Sequence, residues 1–416
     1  MPVETHEIHD ADGIVAPRAA DLSYRRLFAL PTFPRLASAT VLGRIGGNLW
    51  QIALILFVLQ RYHSPALAGF AAFLSVVPGL VISPLAGALL DRHGRVRLIL
   101  VDYAVGTVAL SLLATLSLLH HLSSALLLII VALGSLTGPL TASGTRTLFP
   151  LVVPRELWDR ANAVDSGSQA IASVFGPALA GFFVAWFGGE GAFYITAGFF
   201  VASGLVLLKM RDPATEPSSR ESLVRASWQA VVYVVRHPTL RGVVFTLWAT
   251  NIPAGVLSVA LPVLVLRDFH WGPGGVGALW AVAGVTTIVA GALVGSLNTE
   301  GRERPIIASG LALAAVGCAL TLARSPVAVV LAMAMFGLAS GPIDIGLFAL
   351  RQRRTDPRLF GRVFAVSMAL NFAGIPVGSA LGGSIVERSI PLALFVAAVV
   401  ALLGCAVPFL TIPRKG

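Results

Sequence analysis

The chain has few charged residues and almost no cysteine. Only 12% of its 416 residues are charged, whereas soluble globular proteins carry about 25%, so we expect lipid to be the main solvent. The two cysteines, Cys318 and Cys405, both fall in apolar runs. They are therefore predicted to be core residues, and no disulfide framework is expected.

The motifs of several enzyme classes are also missing. The sequence contains no G-x4-G-K-[ST] phosphate loop and no H-E-x-x-H zinc motif. Thr141-Ala-Ser143-Gly144 loosely resembles the nucleophile loop of a membrane serine protease, but residues 161–209 lack the histidine that such an enzyme needs on a later helix. We predict no enzyme activity, no cofactor and no metal site. A channel is disfavoured as well, because the intramembrane polar residues are scattered singly.

Apolar sequence, in contrast, is abundant. Hydrophobic residues make up 56% of the chain, and the mean hydropathy is +0.83. A helix needs about 20 apolar residues to cross a bilayer, and backbone groups cannot stay unpaired in lipid. The apolar runs therefore predict an all-α membrane protein with twelve spans, at residues 36–60, 66–90, 98–119, 124–145, 161–187, 193–209, 240–265, 275–297, 305–323, 327–350, 363–386 and 390–411.

The net charge of +10 is distributed in a way that argues against nucleic-acid binding. Arginines gather before span 1 and in the connections that follow even-numbered spans. The connections after odd-numbered spans hold only Arg61, Arg267, Arg324 and Arg388. Short cytoplasmic loops collect Lys and Arg, so both termini are predicted to be cytoplasmic.

The sequence divides into two related halves. We predict a cytoplasmic N-terminal tail (1–35), a six-helix bundle (36–209), a cytoplasmic linker with an amphipathic helix (210–239), a second six-helix bundle (240–411) and a C-terminal tail (412–416). Arg160, Gly176 and Gly181 recur 202 residues later as Arg362, Gly378 and Gly383. Spans 5 and 11 are therefore predicted to be equivalent, and so are spans 2 and 8, because Gly94-Arg95 returns as Gly301-Arg302.

One short basic loop lies between two long apolar runs. Residues 87–97 read G-x-L-x-D-R-x-G-R-x-R, with Gly87, Asp91, Arg92, Gly94 and Arg95 at the motif positions. This pattern resembles the signature loop between helices 2 and 3 of the major facilitator superfamily, and we call it the signature loop. The resemblance implies two pseudo-symmetric six-helix bundles and a cytoplasmic latch formed by this loop. We expect Gly87 to let span 2 approach a partner helix closely.

A second motif lies on span 5. Gly167 is followed, eight residues later, by Gly176-Pro177-Ala-Leu-Ala-Gly181. This resembles the antiporter motif of the superfamily, G-x8-G-P-x-x-G-G, with Ala180 in place of one glycine. Nearly the whole chain also resembles the group of twelve-helix bacterial exporters that includes enterobactin-type and macrolide efflux proteins, which implies a location in the bacterial inner membrane.

Polar residues inside the spans are the candidates for the site. A charge near the bilayer centre costs about 2.5–3.5 kcal/mol on insertion scales, so it is expected to face a cavity or a partner. Asp344 is the predicted proton-coupling carboxylate, whereas Asp102 and Asp165 are expected to pair with loop arginines. Arg44 either faces the cavity or braces backbone carbonyls. The predicted cavity residues are Arg44, Asn48, Trp50, Gln51, Gln169, Asn251, Asp344 and Asn371.

These expectations converge on transport. We predict a secondary active transporter that works by alternating access and exports a small amphipathic organic compound, such as a drug or siderophore, in exchange for protons. The alternatives are an importer or flippase of a nutrient or lysophospholipid and, more remotely, a transporter-like sensor. Expected partners are the substrate, protons and membrane lipids; nucleic acid is not expected, and the protein is predicted to be a monomer.

Overall fold

The computed structural model describes residues 24–212, 228–229, 231–294, 301–354, 367, 370–371 and 373–413. Within these residues every regular element is a helix, so the prediction of an all-α fold is confirmed. The predicted linker helix and the first part of span 11 lie mostly outside the described residues.

The twelve predicted spans all coincide with helices in the described part of the chain. Spans 1 to 6 are formed by Phe33–Tyr62 (1), Pro65–Leu74 with Val77–His93 (2), Arg95–Leu118 (3), Ser124–Ser135 with Gly138–Val152 (4) and Trp158–Leu207 (5 and 6). Spans 7 to 12 are formed by Pro238–Arg267 (7), Gly272–Val294 (8), Glu303–Thr321 (9), Pro326–Arg354 (10), Gly374–Arg388 (11) and Ile390–Gly404 with Val407–Thr411 (12). A short helix, Tyr24–Ala29, precedes span 1.

Among the described residues, nine helical segments are long and apolar enough to cross a membrane. The longest, Arg155–Leu207, has 53 residues, which is about twice the length that a bilayer requires. Gly188, with φ 71° and ψ 176°, breaks the helical path within it. The chain therefore reverses at Gly188, and the segment supplies both span 5 and span 6.

Spans 2 and 4 are each interrupted by proline at equivalent depths. Pro78 and Pro139 stand in the first turn of the second half of their spans. A proline inside a helix lacks the N–H donor and collides with the carbonyl four residues earlier, so the helix bends there. Gly79 lies directly against the Ser135 carbonyl, and the two bends therefore cross each other.

The spans run alternately between two ends of the molecule. We call them the Gly94 face, where spans 2 and 3 are joined, and the His63 face, where spans 1 and 2 are joined. Within each half, span 1 packs on span 5 and span 7 on span 11. Between the halves, the main contacts join span 5 to span 8 and span 2 to span 11. Apolar side chains such as Val81, Trp186 and Leu410 are exposed, as expected for a surface that faces lipid.

Candidate functional site

A polar stripe on span 5 marks the site. Asn162, Ser166, Gln169 and Ser173 recur at i, i+4, i+7 and i+11, and all four are exposed. Residues at this spacing share one face of a helix. An exposed polar face is unfavourable against hydrocarbon, so this face is expected to line a water-filled vestibule that starts at the Gly94 face.

The vestibule has a charged clamp on its wall. Arg44 of span 1 and Asp165 of span 5 form an ion pair with 2.8 Å between Nη2 and Oδ1, and Oδ1 makes no further hydrogen bond to any residue that the structure describes. Arg44 Nη1 also donates to the Asp165 backbone carbonyl at 2.7 Å and to the Ser168 hydroxyl. Arg44 therefore binds both the side chain and the backbone of span 5. The expectation that Asp165 pairs with a loop arginine is wrong, because its partner is this arginine inside span 1.

The predicted residues of span 1 divide between two faces. Arg44, Asn48 and Gln51 follow at i, i+4 and i+7 and share one face. Asn48 Nδ2 donates to the Arg44 carbonyl at 2.9 Å, and Gln51 is exposed. Trp50 points elsewhere, because its ring packs on the buried Phe193 ring of span 6 at 5.7 Å between centroids. The structure thus groups Asn48 and Gln51 with the ion pair and places Trp50 in the core of the first half.

The second half holds spans 7 and 11 together with neutral groups. Trp248 Nε1 donates to the Leu370 carbonyl at 2.8 Å, and Asn251 Nδ2 donates to the Asn371 carbonyl at 2.7 Å. Asn371 itself is 2% exposed, and no described residue provides a hydrogen-bond partner for either atom of its side-chain amide. A buried polar group left unsatisfied costs about 1–3 kcal/mol, so this amide is a candidate for binding a substrate group or a water molecule.

Asp344 is exposed on span 10. It lies ten residues before Arg354, where the helix ends, or about 15 Å from that end at 1.5 Å per residue. Arg44 lies eleven residues after Phe33, where span 1 begins, which corresponds to about 16 Å. The two charged residues are therefore at matching depths, measured from the Gly94 face.

The opposite end of the passage is closed by two glycine crossings. A Cβ added to Gly181 of span 5 would lie 2.5 Å from the Gly277 Cα of span 8, and one added to Gly69 of span 2 would lie 3.0 Å from the Gly383 Cα of span 11. The two crossings are pseudo-symmetric, because Gly181 and Gly383 are repeat equivalents, and Gly69 and Gly277 each lie 18 residues before Gly87 and Gly295. Backbones that touch through glycine leave no room for a solute.

Gly176 of the antiporter-like motif packs within its own half. A Cβ on Gly176 would lie 3.0 Å from the Leu49 nitrogen of span 1, and one on Gly378 would lie 3.0 Å from the Ile252 Cα of span 7. These equivalent contacts confirm the predicted equivalence of spans 5 and 11. Pro177, inside span 5, removes the donor for the Ser173 carbonyl, so the helix is weakened where the polar stripe ends.

The signature loop is tied to its own half by polar contacts. Arg95 Nη2 lies 2.6 Å from Asp91 Oδ1, and Arg95 Nε donates to the Thr147 hydroxyl of span 4 at 3.1 Å. Arg92 is exposed. Gly94 has φ +91°, and the repeat-equivalent Gly301 has φ +70°; both values favour glycine, which confirms that the two loops correspond.

Asp212 completes this loop, and the sequence did not single it out. Its carboxylate accepts hydrogen bonds from the Val96 and Arg97 backbone nitrogens at 2.7 and 3.3 Å, so it caps the first turn of span 3. A Cβ on Gly94 would lie 2.8 Å from the Asp212 carboxyl carbon. Gly94 is therefore required both for its backbone angle and for the space that Asp212 occupies.

Gly87 of the signature loop and Gly167 of the antiporter-like motif differ from the glycines at the crossings. Among the described residues, nothing lies within 4 Å of a Cβ built on Gly87 or on Gly167. The close helix approach expected for Gly87 stays a prediction, and Gly167 lies on the exposed side of span 5. Both residues lie towards the Gly94 face, where the vestibule separates the halves.

The sequence reasoning also missed Asn162, Ser166 and Ser173. Each is small or common in loops, and none stands out alone. Together with Gln169 they are spaced at i, i+4, i+7 and i+11, and this periodicity is the pattern that predicts a shared polar face. Polar residues considered one at a time do not show it.

Several bacterial proteins are similar to this chain in sequence. It is 37% identical to the uncharacterized MFS-type transporter y4rN of Sinorhizobium fredii over 94% of this chain and 97% of that protein. It is 25% identical to the multidrug efflux pump Tap of Mycolicibacterium fortuitum, covering 89% and 92% of the two chains. It is 26% identical to the enterobactin exporter EntS of Citrobacter koseri, covering 87% of each. The predicted relationship to this exporter group is confirmed.

Solved structures and a family profile agree on the fold. The crystal structure of the nucleoside transporter NupG (D323A mutant) aligns with a TM-score of 0.72 and 12% identity, covering 91% of this chain and 99% of that one. The sequence profile of the Major Facilitator Superfamily matches residues 36–255 and 243–416. With its helical spans in two repeated halves, this multi-pass membrane protein therefore belongs to the Major Facilitator Superfamily.

Proposed function

We propose that this protein is a secondary active transporter that works by alternating access and exports a small amphipathic organic compound in exchange for protons. The observation that carries the proposal is how polar exposure and close packing are divided between the two ends. Exposed polar residues of spans 1 and 5 extend from the Gly94 face to Gln51 and Gln169, next to Arg44, and the glycine crossings bring the two halves into contact towards the His63 face. A passage open at one end only, between two related halves, is what a rocking mechanism requires.

The direction of transport is argued from the relatives and the motif. Tap is named as a multidrug efflux pump and EntS as an enterobactin exporter, and the span 5 motif resembles that of antiporters. Single polar groups set among apolar residues, as on the exposed side of span 5, suit amphipathic compounds. NupG, which shares the fold, is a nucleoside transporter, so the fold alone does not set the direction.

We place the Gly94 face and both chain ends in the cytoplasm and the protein in the bacterial inner membrane, as a monomer in contact with lipid. The support is the concentration of arginine near the Gly94 face. The vestibule described above then opens to the cytoplasm, where an exporter collects its substrate. The segments 36–209 and 240–411 are the two moving bodies, joined by residues 210–239.

Within this scheme, Asn48, Gln51, Gln169, Asn251 and Asn371 provide hydrogen bonds to the substrate, and Asp344 is the proton-coupling carboxylate. The signature loop is the cytoplasmic latch: when the vestibule closes, the loop meets the second half, and Gly87 then needs its small size.

Transport into everted vesicles tests the proposal. A thermal-shift screen of purified protein with antibiotics, siderophores and lysolipids selects the compound. An imposed pH gradient, acid inside, should then drive its uptake into vesicles that contain the protein. Asp91→Asn should reduce this flux several-fold without loss of folded protein, because the latch loses its carboxylate. Uptake driven in the opposite sense would indicate an importer or flippase. Ligand binding without any flux would indicate a sensor.

A further inference from the structure

The turn between spans 1 and 2 is held by two side chains of the other half. Arg267, at the end of span 7, donates from Nη2 to the His63 carbonyl at 3.1 Å. Glu387, at the end of span 11, accepts from the Ala66 backbone nitrogen at 2.9 Å and from the Ser64 hydroxyl at 3.1 Å, both through Oε2. All three bonds cross from the second half to the first, at the His63 face.

The charges of these two side chains match the helix ends that they touch. His63 is the C-cap of span 1, in the left-handed conformation with φ 52°, and the carbonyls of a helix C-terminus attract a cation. Ser64 is the N-cap of span 2 and accepts from the Leu67 nitrogen, and the free N–H groups of a helix N-terminus attract an anion. The arginine therefore meets the negative end and the glutamate meets the positive end of the same turn.

The glycine crossing brings the halves close enough for this contact. Glu387 lies one helical turn after Gly383, and Ser64, the N-cap of span 2, lies five residues before Gly69. Because a Cβ on either glycine would lie 3.0 Å from the Cα of the other, the two backbones approach closely enough for the Glu387 side chain to reach the span 2 N-terminus. A cleft of about 420 Å³ lies beside the turn and is lined by Leu59, Gln60, His63, Val263, Leu266 and Arg267.

We propose that Arg267 and Glu387 form an outer latch that holds the His63 face closed and must release the His63–Ser64 turn before the transporter can open on that side. The inference rests on the alternating access proposed above. Both side chains belong to one half and grip a single turn of the other, so any separation of spans 2 and 11 at this end breaks all three bonds together. In the described part of the chain neither residue is bonded to the residues of the polar stripe or the Arg44 clamp, so the latch acts on substrate binding only through the conformational equilibrium.

A reporter cysteine tests the latch. Ser379 is 2% exposed, and its hydroxyl lies 3.0 Å from that of Ser258. That hydroxyl faces span 7 of its own half, whereas the Ser379 carbonyl lies against Gly69 of span 2. The residue therefore lies where spans 2, 7 and 11 meet, and we expect a thiol at this position to become accessible when span 2 separates from span 11. The background protein carries Cys318→Ala, Cys405→Ala and Ser379→Cys. The rate of labelling by a membrane-impermeant maleimide is measured in cells and in everted vesicles.

Glu387→Ala and Arg267→Ala should each raise the labelling rate about three- to tenfold, because the first removes two charge-assisted hydrogen bonds and the second removes one. The double variant should show about the product of the two effects if all three bonds break in one motion. Glu387→Gln keeps an acceptor without charge and should fall between the parent and the alanine variant. Arg388→Ala is the matched control, because the adjacent Arg388 makes no hydrogen bond within the described ranges, and it should label at the parent rate.

Parent-like labelling of both alanine variants, with folding verified by size-exclusion chromatography, would overturn the outer latch. So would an equal increase in Arg388→Ala, because the effect would then be nonspecific. The assay needs no substrate, so absence of proton-driven flux would refute the proposed export and leave the labelling result intact. If the alanine variants label faster in everted vesicles but not in cells, the latch is supported and the His63 face, rather than the Gly94 face, lies in the cytoplasm.

Discussion

Replacing Gly181 with alanine should open the His63 face. The added Cβ would lie 2.5 Å from the Gly277 Cα and 2.7 Å from the Pro273 carbonyl oxygen, and backbone atoms cannot rotate away as side chains do. Extra carbon in a packed interface costs about 1–3 kcal/mol. The higher helix propensity of alanine stabilises the open and closed conformations equally. The whole cost therefore falls on the closed conformation, and the equilibrium should shift about 5- to 150-fold towards opening.

The measurement is the labelling rate of the Ser379→Cys reporter, which sits at the other glycine crossing. If the halves move as rigid bodies, a collision at the span 5–8 crossing must also open the span 2–11 crossing. Gly167→Ala is the matched control, because it adds the same methyl group to the same helix at a position where nothing described lies within 4 Å. Equal labelling of Gly181→Ala and Gly167→Ala would refute the reasoning.

Three further predictions concern other parts of the structure. Asp165→Asn should destabilise the purified protein by about 2–4 kcal/mol, because it leaves Arg44 without its carboxylate; adding Arg44→Gln should recover part of the loss in a thermal melt. Gly94→Ala should lower the free energy of unfolding by about 1 kcal/mol more than Gly301→Ala. Both alanines must adopt a positive φ, but only the one at position 94 displaces the Asp212 cap. Equal melting temperatures of the two variants would contradict this. Asp344→Asn should abolish the dependence of flux on the pH gradient, and retained proton-driven flux would exclude it as the coupling group.

The sequence predicted the spans and the repeat well, because both depend on local patterns. The length of each apolar run defines a span. A positive φ favours glycine, so the glycines at the equivalent positions 94 and 301 indicate the same backbone conformation in both loops. The crossings at Gly181 and Gly383 were also visible as repeat equivalents. What the repeat did not reveal was which spans these glycines touch, since that depends on how the two halves are placed.

Contacts between distant residues were predicted less well. Asp165 lies one to two turns inside its helix, which suggested a loop partner, but the close packing of span 1 on span 5 brings Arg44 to it. Trp50 and Gln51 are neighbours in sequence, yet one faces the core and the other the vestibule. Asp212 caps span 3 from a segment 116 residues away. No local pattern encodes such a distance.

The two halves use different chemistry at equivalent places, and this limits where a proton can act. In the first half, spans 1 and 5 are joined by a guanidinium on a carboxylate, with the Asp165 carbonyl as a second acceptor. In the second half, spans 7 and 11 are joined by an indole and an amide that donate to backbone carbonyls. A backbone carbonyl does not titrate between pH 4 and 10, so a proton cannot loosen the second clamp. Protonation of Asp165 would weaken the first, because the charged partner of Arg44 is lost. If Asp344→Asn retains proton-driven flux, Asp165 is therefore the next carboxylate to test, and a mutation of Asn251 should alter the flux at every pH to the same extent.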